Sequence, residues 1–253
     1  MHLFPIVEWN GLRFDIAAII AILVSVIITI VVARLAVRNL SVDKPSKMQN
    51  FMEWAVEFIH STIASSMPEK KVRPFLALGM TLIMFIFISN LLGLPLLVVT
   101  DAHHPISWLG IDQAYLNSHD GKAHIAWWKS PTADLAVTAG LAIIVFVLVH
   151  YLGLKQNRKH YLKHYFEPYP IFFPVNLIET AAKPLTLALR LYANIYAGEV
   201  LISTILMLGW VGIPFMAVWQ GFSIFVGAIQ AFLFTVLTMV YISQAAVHEE
   251  EGH

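Results

Sequence analysis

Asn176-Leu-Ile-Glu179-Thr-Ala-Ala-Lys183-Pro-Leu-Thr186-Leu-Ala-Leu-Arg190-Leu-Tyr-Ala-Asn194-Ile-Tyr-Ala-Gly198-Glu199-Val200 is an apolar helical stretch with an arginine at its centre. A guanidinium keeps its charge at any accessible pH, so Arg190 cannot enter hydrocarbon as a neutral group. Holding it there costs at least ~2.5–3.5 kcal/mol. Intramembrane charges of this kind serve function by default. In steps of about 100° per residue, Glu179, Lys183, Thr186, Asn194 and Ala197 share the face of Arg190, with Ala193 and Gly198 at its margins. The stripe is polar and small-walled, which lets another helix approach closely. Glu199 falls on the opposite face and is expected to look into the bundle.

The chain around this stretch has the composition of a polytopic membrane protein. Its 253 residues are 58% hydrophobic and 13% charged, with formal net charge zero and no cysteine. That balance offers nucleic acid no basic surface, and it excludes disulfides, thiolate metal sites and thiol catalysis. Apolar runs at 16–33, 75–99 and 135–154 each suffice to cross a bilayer. Two further runs, 175–208 and 213–246, exceed thirty residues, about 50 Å of helix. The hydrocarbon core is only ~30 Å thick, so these two are expected to form a long, strongly tilted hairpin.

Residues 47–66 differ in kind. Met48, Phe51, Met52, Trp54, Ala55, Phe58, Ile59 and Ile63 gather on one side of a helical wheel, and Glu53, Glu57, His60 and Ser61 on the other. This is an amphipathic helix at the membrane face or against a partner. The expected fold is therefore all-α and polytopic, a single membrane domain over 1–253. It has about five crossing helices, one interfacial helix and a charged break at Pro68–Pro74. Arg34, Arg38, Lys44, Lys47, Lys70, Lys71, Arg73, Lys155, Arg158, Lys159 and Lys163 fall on one side of such a bundle, and only Arg13, Lys122 and Lys129 on the other. The positive-inside rule then puts segment 1–15 and the polar loop 101–132 outside, and the tail 247–253 in the cytoplasm.

The final run supplies a second polar stripe of Ser223, Gly227, Gln230, Tyr241 and Gln244. Antiparallel to the arginine helix, it brings Gln230 to the depth of Arg190, where an amide can bond a guanidinium without neutralising it. Depth along the chain then reads acid, arginine, acid: Glu179 from the cytoplasmic side, Glu199 from the outer side, Arg190 between them.

Histidine offers weaker signals. His103, His104, His119 and His124 lie in the outer loop, and His150 lies near the cytoplasmic end of the third span. His160 and His164 have ligand spacing in a basic loop, and the tail His248-Glu-Glu-Glu-Gly-His253 has its histidines off one helical face. The loop histidines and His150 could bind metal, buffer protons or do neither; no metal site is assigned to them, and no cofactor is expected. Neither Gly-x-Ser-x-Gly nor His-Glu-x-x-His is present.

The string Leu187-Ala-Leu-Arg190-Leu-Tyr-Ala-Asn194-Ile-Tyr-Ala-Gly198-Glu199 resembles the signature of subunit a of the F-type ATP synthase, bacterial type. Pro131-Thr-Ala-Asp134, Ser89-Asn90-Leu-Leu-Gly93-Leu-Pro95 and Gln230 are similar to further features of that family. The resemblance implies an ion-translocating stator subunit in the cell membrane, not an enzyme by itself. Its partners would be the c-ring, the peripheral-stalk b subunits and the rest of the complex. Arg190 would face the rotor carboxylates, with Thr186, Ala193, Ala197 and Gly198 on the rotor-facing side. Glu179 would lie in a cytoplasmic half-channel, and Asn194, Glu199, Asn90 and Asp134 in or near an outer one. Ala136 and Ser223 stand where many relatives carry asparagine and some carry histidine. The competing expectation is a secondary transporter with Arg190 as an anion ligand. It calls for a broken helix or paired repeats, and neither is visible.

Overall fold

The computed structural model describes residues 5–9, 12–65, 67–93, 99–106, 111, 113–118, 123–164, 166 and 169–246. A short antiparallel hairpin, β1 (Ile6–Trp9) and β2 (Leu12–Asp15), leads directly into α1 (Ile16–Val37). Asp15 caps that helix, its carboxylate accepting from Ala18 N at 3.0 Å. α1 is apolar all round. Its small side chains Ala17, Ala18, Ala21 and Ser25 are buried on the side that meets α3, while Leu23, Ile27 and Ile30 stay exposed on the other. That pattern suits a helix with one face on protein and one on lipid.

α2 (Lys47–Ala64) is the amphipathic helix, and its apolar side divides in two. Ile59 and Ile63 are fully buried in the main core, whereas Phe51, Trp54 and Phe58 remain exposed as a row of neighbouring rings. Phe58 also meets Phe232 of α7 at 5.4 Å between ring centroids.

α3 (Glu69–Leu92) starts earlier than its hydropathy suggests. The expected break at 68–74 is absorbed into the helix: Pro68 precedes its first residue and Pro74 lies inside it. Pro68 costs nothing because the early N–H groups of a helix have no intrahelical acceptor, whereas Pro74 forfeits one bond, to the Lys70 carbonyl. At its other end α3 stops at Leu92 rather than continuing to 99, and Val99 belongs to a strand. The polar loop is likewise partly ordered. β3 (Val99–Ala102) pairs antiparallel with β4 (Ala123–Ala126), and a short α4 (Gln113–Ser118) packs Leu116 with Ile111, Ala123 and Ile125 into a small separate core.

α5 (Leu135–His164) runs past the expected end of its span through the basic segment, so His160 and His164 are helical and not in a loop. α6 (Phe173–Leu206) and α7 (Gly212–Ala246) are the long pair, 34 and 35 residues. The turn between them uses Gly209 at φ 60°, the left-handed region that a glycine adopts without strain. Five helices are long and apolar enough to cross a membrane: α1, α3, α5, α6 and α7. His119 and the tail histidines at 248 and 253 lie outside the described residues.

The C-terminal half of α7 is the packing centre. Ala231, Phe234, Thr235, Thr238, Met239 and Ile242 are buried where α7 meets α3, α5 and α6. Thr235 and Thr238 return their hydroxyls to carbonyls one turn back, at 2.9 and 2.8 Å, which satisfies them inside an apolar bundle. α6 is different. Only Leu187, Ala188, Leu191 and Ile205 are buried along its whole length. The rest of the helix is half-buried or exposed.

Candidate functional site

The open face of α6 carries Thr186, Arg190, Ala193 and Ala197, all exposed, at spacings of four, three and four residues. A 3.6-residue period places such positions on one line, so the arginine sits on a strip walled mainly by small side chains. Gly198 beside it has open space where a side chain would be. Arg190 makes no hydrogen bond or ion pair among the described residues. Gln230 is 7% exposed within the bundle and no hydrogen bond joins it to Arg190. Gln230 is buried and Arg190 exposed, and the bond expected between them is not formed.

Two cavities flank this point on α6. The larger, 420 Å³, is lined by Asn176, Glu179, Thr180, Lys183, Pro184 and Leu187 of α6, by His150 of α5, and by Tyr241 and Gln244 of α7. Pro184 has no N–H to give to the Thr180 carbonyl, which leaves a backbone acceptor in this part of α6. Lys183 Nζ meets Glu179 Oε1 at 3.2 Å, one turn apart, and lies 5.7 Å from the centre of the Tyr241 ring. His150 lies over Phe146, with Nδ1 2.8 Å from the Phe146 carbonyl.

The smaller cavity, 180 Å³, is lined by Asn194, Ala197, Gly198 and Glu199 of α6, by Asn90 of α3, and by Trp219, Phe222 and Ser223 of α7. Trp219 Nε1 and Ser223 Oγ are buried here without a hydrogen-bond partner among the described residues. Buried polar atoms in a polar cavity are ordinarily satisfied by water.

The walls of this second cavity are fixed by a chain of side-chain hydrogen bonds. Asn90 Nδ2 donates to the Gly227 carbonyl at 2.9 Å, and its Oδ1 accepts from Thr132 at 2.6 Å. Ser130 Oγ lies 2.8 Å from the Thr132 hydroxyl and 3.1 Å from the Ser89 carbonyl. A Cβ at Gly227 would press on Asn90 at 3.2 Å, and one at Gly93 would collide with Ser130. Glycine at both places permits the close approach. Glu199 turns inward as expected, toward the backbone N–H of Ser130 and within the field of Lys129.

Asp134 lies just ahead of α5, not in the cavity lining. Its Oδ1 accepts from Ala136 N at 2.8 Å, and its Oδ2 accepts from Lys129 Nζ at 2.6 Å. Burial alone would raise its carboxyl, but Lys129 and the backbone donors outweigh that and hold it below the usual carboxylate range.

The predicted residues thus divide three ways. Glu179, Tyr241 and Gln244 meet in one cavity, and Asn90, Asn194, Gly198, Glu199 and Ser223 meet in the other. Gly227 touches Asn90 from behind, and Ala197 serves both the open strip and the second cavity. Arg190 lines neither cavity. From Leu187, in the first, to Asn194, in the second, is seven residues, about 10 Å of helix rise, with Arg190 between.

The model of the family described as ATP synthase A chain matches residues 18–243. The chain belongs to that family. Proteins named ATP synthase subunit a are similar over almost the full length of both chains. That of Anoxybacillus flavithermus is 46% identical, covering 98% of this chain and 99% of its own. That of Bacillus pumilus is 44% identical, with the same coverage. That of Bacillus subtilis is 42% identical, again over 98% and 99%. Membership in the ATP synthase A chain family, with five apolar crossing helices, makes this a multi-pass membrane protein with an ion-translocating role in the membrane sector of ATP synthase.

Residues not named as site candidates from the sequence also build the cavity walls. Thr132 holds Asn90 and Ser130 backs Thr132, Trp219 lines the narrower cavity, and Lys129 joins Asp134 to Asp15. Two of them carry a sequence signal: Asp15, a capping residue immediately before an apolar run, and Thr132, inside Pro131-Thr-Ala-Asp134.

Proposed function

We propose that the two cavities are aqueous half-channels that load and unload protons on the carboxylates of a rotating c-ring, and that Arg190 separates them. The observation that carries this reading is the exposed strip of α6, with an arginine lining neither cavity and one cavity on each side of it along the helix. The cavity with Glu179 opens to the cytoplasm and the cavity with Glu199 opens outward. The N-terminus lies outside and the C-terminus in the cytoplasm, the orientation set by the lysines and arginines. α6 and α7 lie tilted along the rotor, and peripheral-stalk b subunits hold the chain against it. Catalysis belongs to other subunits of the complex.

A rotor carboxylate facing lipid stays protonated, because desolvation disfavours its charged form. Opposite the unpaired guanidinium the charged form is favoured, and the proton leaves through the adjoining cavity. The fixed positive charge repels any cation that would pass straight from one cavity to the other. Charge therefore crosses only as the ring turns, releasing about 2.3 kcal/mol per elementary charge per 100 mV. A small-walled strip lets the rotor helix come close enough for the two charges to meet.

Arg190→Ala tests this directly. Coupled ATP synthesis in membrane vesicles should fall to background while the complex remains assembled, as followed by native electrophoresis. Normal coupled synthesis in that variant would overturn the proposal. The transporter reading has less support, since an anion held in either cavity would not meet Arg190.

A further inference from the structure

Lys129 lies between two carboxylates contributed by separate parts of the chain. Its ammonium is 2.5 Å from Asp15 Oδ2, at the start of α1, and 2.6 Å from Asp134 Oδ2, ahead of α5. The side chains of Lys129, Asp15 and Asp134 are only 11%, 21% and 19% exposed. Each carboxylate has a second task, Asp15 accepting from Ala18 N and Asp134 from Ala136 N, so both are aimed by the helices they precede. The residue following Lys129 starts the segment whose hydroxyls and backbone reach the narrower cavity: Ser130 meets Ser89 and approaches Glu199, and Thr132 meets Asn90.

Among the described residues the charged groups facing Lys129 are Asp15 of the β2–α1 junction, Asp134 ahead of α5 and Glu199 of α6. The nearby parts of α3 and α7 bring Ser89, Asn90 and Gly227, which carry no charge. One cation therefore serves three acids. The clamp is closed over the working pH range. Burial works against the Lys129 charge, but its two carboxylates outweigh this and raise the ammonium above its ordinary value, so that side is lost only as pH rises through the raised value. Asp134 is depressed, so its side is lost only as pH falls below the ordinary carboxylate range.

We infer that Lys129 is a positioning residue of the outer half-channel. Shared between Asp15 and Asp134, it fixes the Ser130–Ala133 segment against Asn90 and Glu199, and it supplies the positive field in which the outer acids exchange protons. This rests on the half-channel reading above. The ion pair of a lysine with two nearly buried acids is otherwise a costly arrangement, since desolvating three ions is not repaid by their attraction unless the geometry is good. Here the geometry also aims a turn.

The test uses the whole complex in liposomes with its ATP-forming head outside, so that the lumen is the outer side. ATP synthesis is driven by an imposed pH difference and potential and followed against luminal pH. Lys129→Met removes the cation, the acids bind protons at lower concentration, and the half-maximal luminal pH should move up by about one unit. Lys129→Arg keeps the charge and should keep the midpoint. Asp15→Asn removes one acid, leaves Lys129 on Asp134, and should move the midpoint the opposite way. Shifts of opposite sign are not produced by a purely structural defect, which would scale the rate equally at every pH. Unchanged midpoints in both Lys129→Met and Asp15→Asn would overturn the inference, whatever the maximal rates. Should the methionine variant fail to assemble, the midpoint of Asp15→Asn decides alone. Arg190→Ala in the same liposomes separates the two claims. Synthesis surviving there defeats the half-channel reading. Synthesis lost there, with wild-type midpoints in the Lys129 and Asp15 variants, defeats only the role of Lys129.

Discussion

The two cavities on α6 differ in construction more than in composition. The one with Glu179 is wide, 420 Å³, and its acid is well exposed and, among the described residues, paired with a lysine one turn away. The one with Glu199 is narrow, 180 Å³, and its walls are tied across α3, α7 and the turn before α5 by buried hydrogen bonds. An exposed carboxylate in a broad opening competes with water and is readily replaced by it. A carboxylate in a tight, pre-aimed wall is not, because the groups around it lose partners when it goes. The difference teaches where sensitivity to mutation should concentrate.

Three substitutions sharpen or break that contrast. Glu199→Gln should slow proton-driven ATP synthesis about tenfold, or ~1.4 kcal/mol of barrier, without abolishing it as Arg190→Ala should. A rate equal to wild type would show that the narrow cavity does not depend on its acid. Asn90→Ala should come next. It removes one bond to the Gly227 carbonyl and the Asn90 acceptor of the Thr132 hydroxyl, which keeps Ser130, and should destabilise the assembled chain by about 1 kcal/mol. Lowered thermal stability of the purified complex checks this, and an unchanged melting midpoint would mean the network contributes nothing net. Glu179→Gln should have the smallest effect, about twofold on the rate, in keeping with the modest worth of exposed ion pairs such as its contact with Lys183. A loss in Glu179→Gln exceeding that in Glu199→Gln would invert the comparison.

α1 and α7 show how the same kind of sequence signal can be sufficient in one case and not in another. Both are long apolar runs, and both are helices of the expected extent to within a few residues. Hydropathy does not say that half of α7 is enclosed by three helices while α1 meets the bundle along a stripe of small residues. The ends were harder. The chemistry that stops a helix at Leu92, or carries one through Pro74, depends on what packs beside it. The polar loop was legible as polar but not as a hairpin with its own small core. Four-residue strands hold too little periodic signal to be told from turns.

By itself the sequence determined the membrane class, the five crossing helices, the amphipathic α2, and the placing of Arg190 on a small-walled face with Glu199 on the other side. These follow from periodicity, which is a property of neighbours along one helix. The tertiary structure alone decided that Asn90 reaches the carbonyl of Gly227, 137 residues away, and that Lys129 bridges Asp15 and Asp134. It also decided that Gln230 stays buried, apart from Arg190. Contacts between helices depend on relative depth and rotation. Packing of side chains from several elements sets both, and no spacing within one element encodes either.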